Sequence, residues 1–585
     1  MNKIKTLTLA IAAISAANAQ AFEFNAGPVE AQLNTTLSYG IAVRTEDPNK
    51  GLVMPGTLAA IYGGDAADYY STGGNSYNAD DGTLNYEKND IFTNVVKGSM
   101  DLELVWGDSG LFVRGSAFYD YEIMDEDPAF TPYIDEAKES AGSGYDLLDA
   151  FVWHNFEAGN VPVSARLGRQ VVSWGESTFI QGGINSINPV NASAARKPGV
   201  EVKEILLPVN MAYANMGLTD NLTLEAFYQL EWEKTRPDAC GTFFSTSDIA
   251  ADACGPVLLG HLTASQDEYI AAYEAGEGYP VTIRTEADEP SDDGQYGLAL
   301  RWYSEALGDT EFGFYHMNIH SRLPAASIEV RSATALDASY HLEYVEDIQI
   351  SGLSFSRGTE SGWSIGGEVS YQQDTPISWN GNELIAAANG ATYGELYQRE
   401  LAKASDGSLN GDSIAGYDLF DIVQAQMTFI KFFDQVAGAS RLSFVSEVGA
   451  TFIQDLGDGV YGRSSAFGFG TSNRTVAECE AVNTNNSYCT DDGFIEEFSA
   501  GVRVKALLDY PGAFLGANLQ PNFSFGYDHG TGTQFEDKRI TTSLGLNFDY
   551  LNTYSGGIAY VMYDGSDVDQ LDDRDNVSLN VKVSF

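Results

Sequence analysis

The 585-residue sequence is poor in basic residues, cysteine and histidine. Its 32 Lys and Arg stand against 82 Asp and Glu, which gives a formal charge of −50. Phosphates repel a polyanion of this size, so nucleic-acid binding is excluded. The chain is nevertheless 44% hydrophobic and 12% aromatic, which excludes an acidic disordered chain. Because no Pro/Ser-rich linker divides it, the sequence predicts one large folded body.

Long hydrophobic runs are also missing. After the first 21 residues no segment offers about 18 uninterrupted apolar residues, which excludes an inner-membrane helical protein. Residues 1–21 have the pattern of a secretory signal peptide, in which Lys3 and Lys5 precede an apolar run over 7–17 and small residues follow. We therefore expect an exported chain of residues 22–585.

The four cysteines form two local pairs in polar stretches, Cys240 with Cys254 and Cys479 with Cys489. In an exported protein this spacing predicts two disulfides. Neither spacing is a zinc pattern, and none of the six histidines lies in a serine-hydrolase motif. We therefore predict no metal site, no cofactor and no enzymatic activity.

Apolar and polar residues alternate in long segments. Positions 577–585 place apolar side chains on one face and polar or small ones on the other, and positions 33–43 repeat the pattern. A tilted membrane-spanning strand needs about 9–11 residues, whereas soluble strands cluster near 5–6. Strands of a soluble β-sandwich or propeller also alternate. Strand length, export and the aromatic residue at position 585 favour an all-β, transmembrane antiparallel β-barrel.

Connection lengths alternate between short and long, as expected for short periplasmic turns and long extracellular loops. They predict 18 strands, with 16 or 20 as alternatives if one hairpin is misassigned. The short turns are predicted at 107–109, 158–160, 217–220, 305–308, 358–360, 434–438, 509–513 and 551–553, and the outer loops at 44–95, 122–146, 173–205, 233–293, 322–344, 376–419, 454–493, 529–537 and 565–575. Both cysteine pairs fall in outer loops.

Tryptophans lie near the predicted membrane interfaces. Trp106, Trp302 and Trp363 stand beside inner turns, and Trp232 ends a strand on the outer side. This placement predicts aromatic girdles.

Acidic residues are concentrated in the predicted outer loops, especially in 233–293. One interpretation is a solvated acidic surface. The other is bridging by divalent cations at the cell surface, although the acidic run 564–569 lacks the twelve-residue calcium-loop pattern.

The predicted lumen carries charges of both signs, among them Arg114, Arg166, Glu368 and Glu447. Such charges either brace a barrel wall or form a selectivity filter.

Loop 173–205 differs from the other loops because its acidic and basic residues balance and its first half is apolar and rich in glycine. We predict that it folds into the barrel and narrows the passage; the alternative is a lid across the outer rim. The candidate substrate-contacting residues in this loop are Trp174, Glu176, Phe179, Ile180, Arg196 and Lys197.

Several motifs resemble one known family. They occur at 147–150, 168–179, 197–201, 320–324, 346–349, 352–356 and 573–575. Together they are similar to the proteobacterial outer-membrane proteins catalogued as domain of unknown function thirteen-oh-two, over most of the mature chain. Asn576 departs from the pattern, which usually has an aromatic residue there. The resemblance implies passage of a hydrophobic or lipid-like compound, with a periplasmic lipoprotein-sorting-like carrier and an inner-membrane pump as partners.

The sequence thus predicts a channel or transporter in the outer membrane of a Gram-negative bacterium, in contact with outer-membrane lipid. A general small-solute porin and a surface-interaction barrel are the alternatives. A lipid hydrolase is disfavoured by the lack of a recognisable nucleophile and base.

Overall fold

The computed structural model describes residues 22–260, 263–332, 337–405 and 407–585. The predicted signal peptide, residues 1–21, lies outside the described residues.

Eighteen antiparallel strands form a closed barrel, which confirms the predicted fold and strand number. They are β2 (Val29–Arg44), β3 (Ile91–Trp106), β4 (Ser109–Asp120), β5 (Ser143–Ala158), β6 (Val161–Gln170), β7 (Val209–Thr219), β8 (Leu222–Gln229), β11 (Tyr296–Ser304), β12 (Thr310–Ile319), β15 (Ile348–Gly358), β16 (Trp363–Ser378), β18 (Tyr417–Asp434), β19 (Arg441–Ile453), β20 (Phe498–Phe514), β21 (Ala517–His529), β22 (Ile540–Tyr550), β23 (Tyr554–Asp564) and β24 (Asn576–Ser584). Shorter strands are β1 (Phe22–Ala26), β9 (Val257–Leu258), β10 (Val281–Arg284), β13 (Ala325–Glu329), β14 (Ala338–Glu343) and β17 (Ser413–Ile414).

The barrel closes where the first long strand meets the last. β24 pairs with β2 from Ser584 opposite Thr36 to Asn576 opposite Arg44. The N-terminal strand β1 pairs with the other end of β2, over Val29 to Leu33. Every strand of the ring therefore has a neighbour on both edges, as a spanning barrel requires.

Side chains alternate between the two sides of the wall. Leu353 and Val369 are opposite each other on β15 and β16 and are exposed on the outer surface, whereas the adjacent Glu368 is buried on the inner side. Leu544 and Leu579 are likewise exposed. An apolar outer wall around a polar lumen is the arrangement of a barrel that spans a bilayer. No helix in the described part of the chain is long and apolar enough to cross a membrane.

The outer loops fold together into a cap. Three of them contribute to a five-stranded sheet in the order β17-β13-β14-β10-β9. The α-helices are Pro55–Tyr62, Asp81–Leu84, Tyr121–Asp125, Asp135–Ala137, Ala192–Ala195, Val202–Ile205, Gln266–Glu274, Gly381–Ala388, Glu395–Lys403 and Val476–Glu480. Short 3₁₀ helices are Lys50–Leu52, Ala66–Tyr69, Gly183–Asn185, Glu305–Leu307, Ser465–Phe467 and Asn486–Tyr488, and Lys138–Gly142 is a π-helix.

The cap contains both disulfides and the buried side chain of Trp232. Cys240 is bonded to Cys254 and Cys479 to Cys489, as predicted. The girdle assignment of Trp232 is wrong, because its side chain is only 9% exposed. It packs edge-on against a tyrosine and donates a hydrogen bond to a backbone carbonyl within the cap, so it belongs to the cap's hydrophobic core. Trp106 and Trp302, beside inner turns, are exposed on the outer wall as predicted.

Candidate functional site

The loop between β6 and β7, residues 171–208, lies inside the barrel. Two parts of it contact opposite sides of the ring of strands. Residues 174–187, here called the first arm, pack against β11, β12 and the β15–β19 wall. Residues 196–204, the second arm, reach β2, β3 and β24. The predicted inward folding is thereby confirmed. The loop does not form a lid across the outer rim.

The buried carboxylate of Glu447 holds the first arm from the middle of β19. It accepts hydrogen bonds from the backbone N–H groups of Thr178, Phe179 and Ile180, at 2.8, 2.6 and 2.7 Å. The Thr428 hydroxyl donates a further bond to it at 3.0 Å. Successive N–H groups that converge on one carboxylate form an anion-binding nest, here filled by the barrel's own side chain.

Glu368 is a second anchor on the same wall. It accepts a hydrogen bond from the backbone N–H of Glu176, at 2.5 Å, and one from the Gln426 carboxamide, at 2.8 Å. Gly175 passes directly over this carboxylate, where a Cβ would lie 2.3 Å from Oε2, and its φ is +88°. Glycine is therefore required at this position.

The Trp174 side chain is buried in the interior packing and does not face the passage. Its side chain is 1% exposed, and Nε1 donates to Glu225 Oε2 at 2.8 Å. The same carboxylate accepts bonds from Tyr213 and Arg301, both at 2.9 Å. Glu225 is one of the charged residues that the sequence predicts on the polar, lumen-facing side of the strands. With Ile184, Trp174 forms an apolar core inside the barrel.

The other predicted contact residues of the first arm differ in exposure. Ile180 is buried against Gly449, whereas Phe179 is 36% exposed. Phe179 is therefore the apolar residue of this arm that is available to a solute.

Ion pairs fix the second arm. They are Lys97–Glu204 at 2.7 Å, Lys582–Glu201 at 3.2 Å and Lys203–Asp101 at 3.5 Å. Pro198 also packs against Gly40 of β2. Because the Glu201 and Lys203 side chains are partly exposed, solvent weakens the Lys582–Glu201 and Lys203–Asp101 pairs relative to the buried bonds of the first arm, whereas the Lys97–Glu204 pair is itself buried.

Lys197 and Arg196, two of the candidate substrate-contacting residues, have different neighbours. Lys197 Nζ donates to the Ala141 carbonyl at 2.8 Å and lies 3.5 Å from the centre of the Phe118 ring. Arg196 Nε lies 3.6 Å from Asp238 Oδ2. The two cations are thus engaged by the protein itself.

A polar cavity of about 280 Å³ lies between the cap and the second arm. Arg196, Arg463 and Arg539 line it together with Asp238 and Glu536. We call this cavity the vestibule, and its lining carries charges of both signs.

The predicted wall charges divide into paired and unpaired. Arg114 bridges Asp101 and Asp149, at 2.9 Å to each, and so braces the wall. Arg166 stacks on the Tyr213 ring at 4.2 Å. Within the described residues no carboxylate lies within 4.0 Å of Arg166, which leaves its charge available to the lumen.

A closed barrel with an apolar outer wall and a loop across its lumen defines an outer-membrane β-barrel protein with an internal constriction. The chain belongs to the family described as protein of unknown function (DUF1302), whose model matches residues 3–585. No curated protein matches the chain.

Solved structures with similar chains are outer-membrane channels. The chain has 11% identity to OccAB1 of Acinetobacter baumannii, with a TM-score of 0.42 and coverage of 97% of this chain and 98% of that one. It has 10% identity to OccK2 of Pseudomonas aeruginosa in complex with glucuronate, with a TM-score of 0.38 and coverage of 95% and 98%. It has 10% identity to the channel DcaP of Acinetobacter baumannii, with a TM-score of 0.35 and coverage of 97% and 99%.

Proposed function

We propose that this protein is an outer-membrane channel in which the second arm is the moving part of a gate. The observation that carries the proposal is the unequal attachment of loop 171–208. Hydrogen bonds to the buried Glu447 fix the first arm. The second arm is held by ion pairs, of which Lys97–Glu204 is buried, whereas the Glu201 and Lys203 side chains of the other pairs are partly exposed. Displacement of the second arm alone would widen the passage while the apolar core around Trp174 stays intact.

The proposed substrate is a hydrophobic or lipid-like compound. The family resemblance and the partly exposed ring of Phe179 support this choice over a hydrophilic solute. Phe179 offers a partly exposed ring beside the lumen, and Arg166 offers an unpaired guanidinium for an acidic head group. No covalent step is required.

A charge swap tests the gate. Lys582→Glu places like charges beside Glu201, so we expect the second arm to detach and the conductance of the purified protein in planar bilayers to rise several-fold. The double variant Lys582→Glu/Glu201→Lys restores an opposite-charge pair and is the matched control; it should return conductance toward the wild-type value. Equal conductance in all three proteins would contradict the proposed gate.

The substrate class has a separate test. Mass spectrometry of lipids that copurify with the wild-type barrel should detect a specific compound that Phe179→Ala reduces. The opposite result would be that neither the wild type nor the Lys582→Glu variant copurifies with a lipid, while the variant lets sugars and salts through. The protein would then be a general small-solute porin.

Periplasmic partners are part of the same proposal. A lipoprotein-sorting-like carrier would deliver its cargo at the inner turns, where Leu551 is 71% exposed. A photo-crosslinking residue at position 551 should capture such a carrier in cells, whereas one at Leu323, in the cap, should not.

A further inference from the structure

Three aspartates from two distant parts of the sequence meet in the cap. Asp80 and Asp81 belong to the loop between β2 and β3, and Asp248 belongs to the loop between β8 and β11. One carboxylate oxygen from each lies within 4.8 Å of the others. Calcium–oxygen distances are about 2.3–2.6 Å, so ligands on opposite sides of one ion are at most about 5 Å apart. The spacing therefore fits a single cation.

Asp80 has no partner for its charge. Its side chain is fully buried, and no described side chain donates a hydrogen bond to either carboxylate oxygen; only the backbone N–H groups of Asp80 and Met54 lie nearby. Asp248 Oδ2 accepts the backbone N–H of Asp80 at 3.0 Å, but its Oδ1 is also buried without a partner. No Lys or Arg among the residues that the structure describes lies within 4.0 Å of these carboxylates. An isolated buried carboxylate is costly, so the group must be neutralised by a proton or a cation.

The carboxamide of Gln266 lies beside the cluster. Gln266 Nε2 donates to Asp81 Oδ1 at 3.0 Å, while Gln266 Oε1 is buried without a hydrogen-bond partner. This carboxamide lies outside the acidic triplet and independently supplies an unsatisfied oxygen. With carboxylate and carboxamide oxygens and no histidine or cysteine, the donor set suits a hard cation such as Ca²⁺.

The three carboxyl groups disfavour one another's ionised form. Burial raises the pKa of Asp80 well above its usual range, and the neighbouring Asp81 and Asp248 raise it further. The nearby backbone N–H groups lower it less. A divalent cation would reverse this effect, because it favours the ionised form of all three carboxyl groups.

We propose that Asp80, Asp81 and Asp248, with Gln266 beside them, bind one Ca²⁺ that joins the first and fourth outer loops of the cap. Thr131, in the second outer loop, donates to Asp81 Oδ1 at 2.9 Å, so the site also contacts a third loop. The function of the ion is structural: it ties together the cap above the vestibule. Calcium sites in extracellular modules bind with dissociation constants on the order of 10⁻⁴–10⁻³ M, which is the range we expect.

The test uses the full-length protein purified in detergent and stripped with a chelator. Isothermal titration with CaCl₂ should show one site per chain, and the temperature of the heat-induced mobility shift on gels should rise by several degrees when Ca²⁺ saturates. Asp80→Asn and Asp248→Asn should each weaken binding at least tenfold. Asp567→Asn, in the exposed acidic run, is the matched control and should bind as the wild type does.

The outcomes are decisive even if a variant fails to fold. Absence of saturable calcium binding by the stripped wild-type protein would overturn the proposal and indicate that protons neutralise the cluster. Equal loss of binding in Asp567→Asn would also overturn it, since the acidic surface as a whole would then be responsible.

Discussion

The Glu447 carboxylate accepts the backbone N–H of Ile180 at 2.7 Å, across 267 residues of sequence. This bond fixes a loop segment to the middle of a strand on the far side of the lumen. Its acceptor is completely buried, so its loss leaves several N–H groups without a partner.

Glu447→Ala should loosen the first arm. Three backbone N–H groups lose their acceptor, and we expect a loss of about 2–4 kcal/mol in the free energy of unfolding. Urea unfolding in detergent measures the loss, and single-channel recordings should show larger current fluctuations. Glu305→Gln, at an inner turn, is the control. If both the current fluctuations and the free energy of unfolding of Glu447→Ala equal those of the wild type, contacts other than the Glu447 hydrogen bonds hold the first arm.

Trp174 tests whether the first half of the loop is a packed core. Trp174→Ala should reduce the free energy of unfolding by about 3–5 kcal/mol, because a fully buried aromatic side chain is removed. Phe179→Ala should cost less than about 1.5 kcal/mol, since its ring is partly exposed. The same unfolding measurement compares the two; a similar cost for both would contradict the assignment of Trp174 to the core.

A buried ion pair connects the barrel's closing strands to the cap. Arg44 Nη2 lies 2.6 Å from Asp573 Oδ2, and both side chains are almost completely buried. Asp573→Asn leaves a buried cation without its carboxylate, so we expect a loss of about 3–5 kcal/mol in the free energy of unfolding. Thermal unfolding measures it. Asp47→Asn, on an exposed pair with Lys88, should leave the unfolding temperature almost unchanged.

Glu536 should make the cap sensitive to pH. Burial raises the pKa of its carboxyl to about 7, against the attraction of Arg539. The folded state therefore holds this proton more tightly than the unfolded state, so its contribution to stability is present at acidic pH and is lost as pH rises from about 4.5 to about 7. Glu536→Gln should abolish this pH-dependent decrease in the free energy of unfolding, which we expect to be about 1–3 kcal/mol.

The measurement for Glu536 is the unfolding temperature of the wild type and the variant at pH 5 and pH 8. The variant should have the higher unfolding temperature, and its advantage over the wild type should be larger at pH 8 than at pH 5. Glu480→Gln, on the exposed surface, controls for the general repulsion of an acidic protein. A difference that does not depend on pH would refute the assignment.

The barrel could be predicted from sequence because membrane-spanning strands impose a strict period of two over long segments, as at 33–43 and 577–585. The inward loop could be predicted because balanced charge and clustered glycines set 173–205 apart from the acidic loops. The cap could not be predicted, since its sheet and core are assembled from short segments of separate loops. For that reason Trp232, read as an interface residue, proved to be a cap core residue.

The site was only partly predictable. Glu368 and Glu447 are recognisable as lumen acids, but their bonds to backbone N–H groups leave no trace in the side-chain pattern of the loop. Asp80 and Asp248 are separated by 168 residues, and nothing in the local sequence indicates that they meet.

The attachment of the first arm to Glu447 has a consequence for substitutions at position 179. Glu447 binds the main chain at Phe179 rather than the aromatic ring, so the fastening does not depend on which side chain stands there. A substitution at position 179 can therefore change the side chain beside the lumen while the main chain of the first arm stays bound to Glu447.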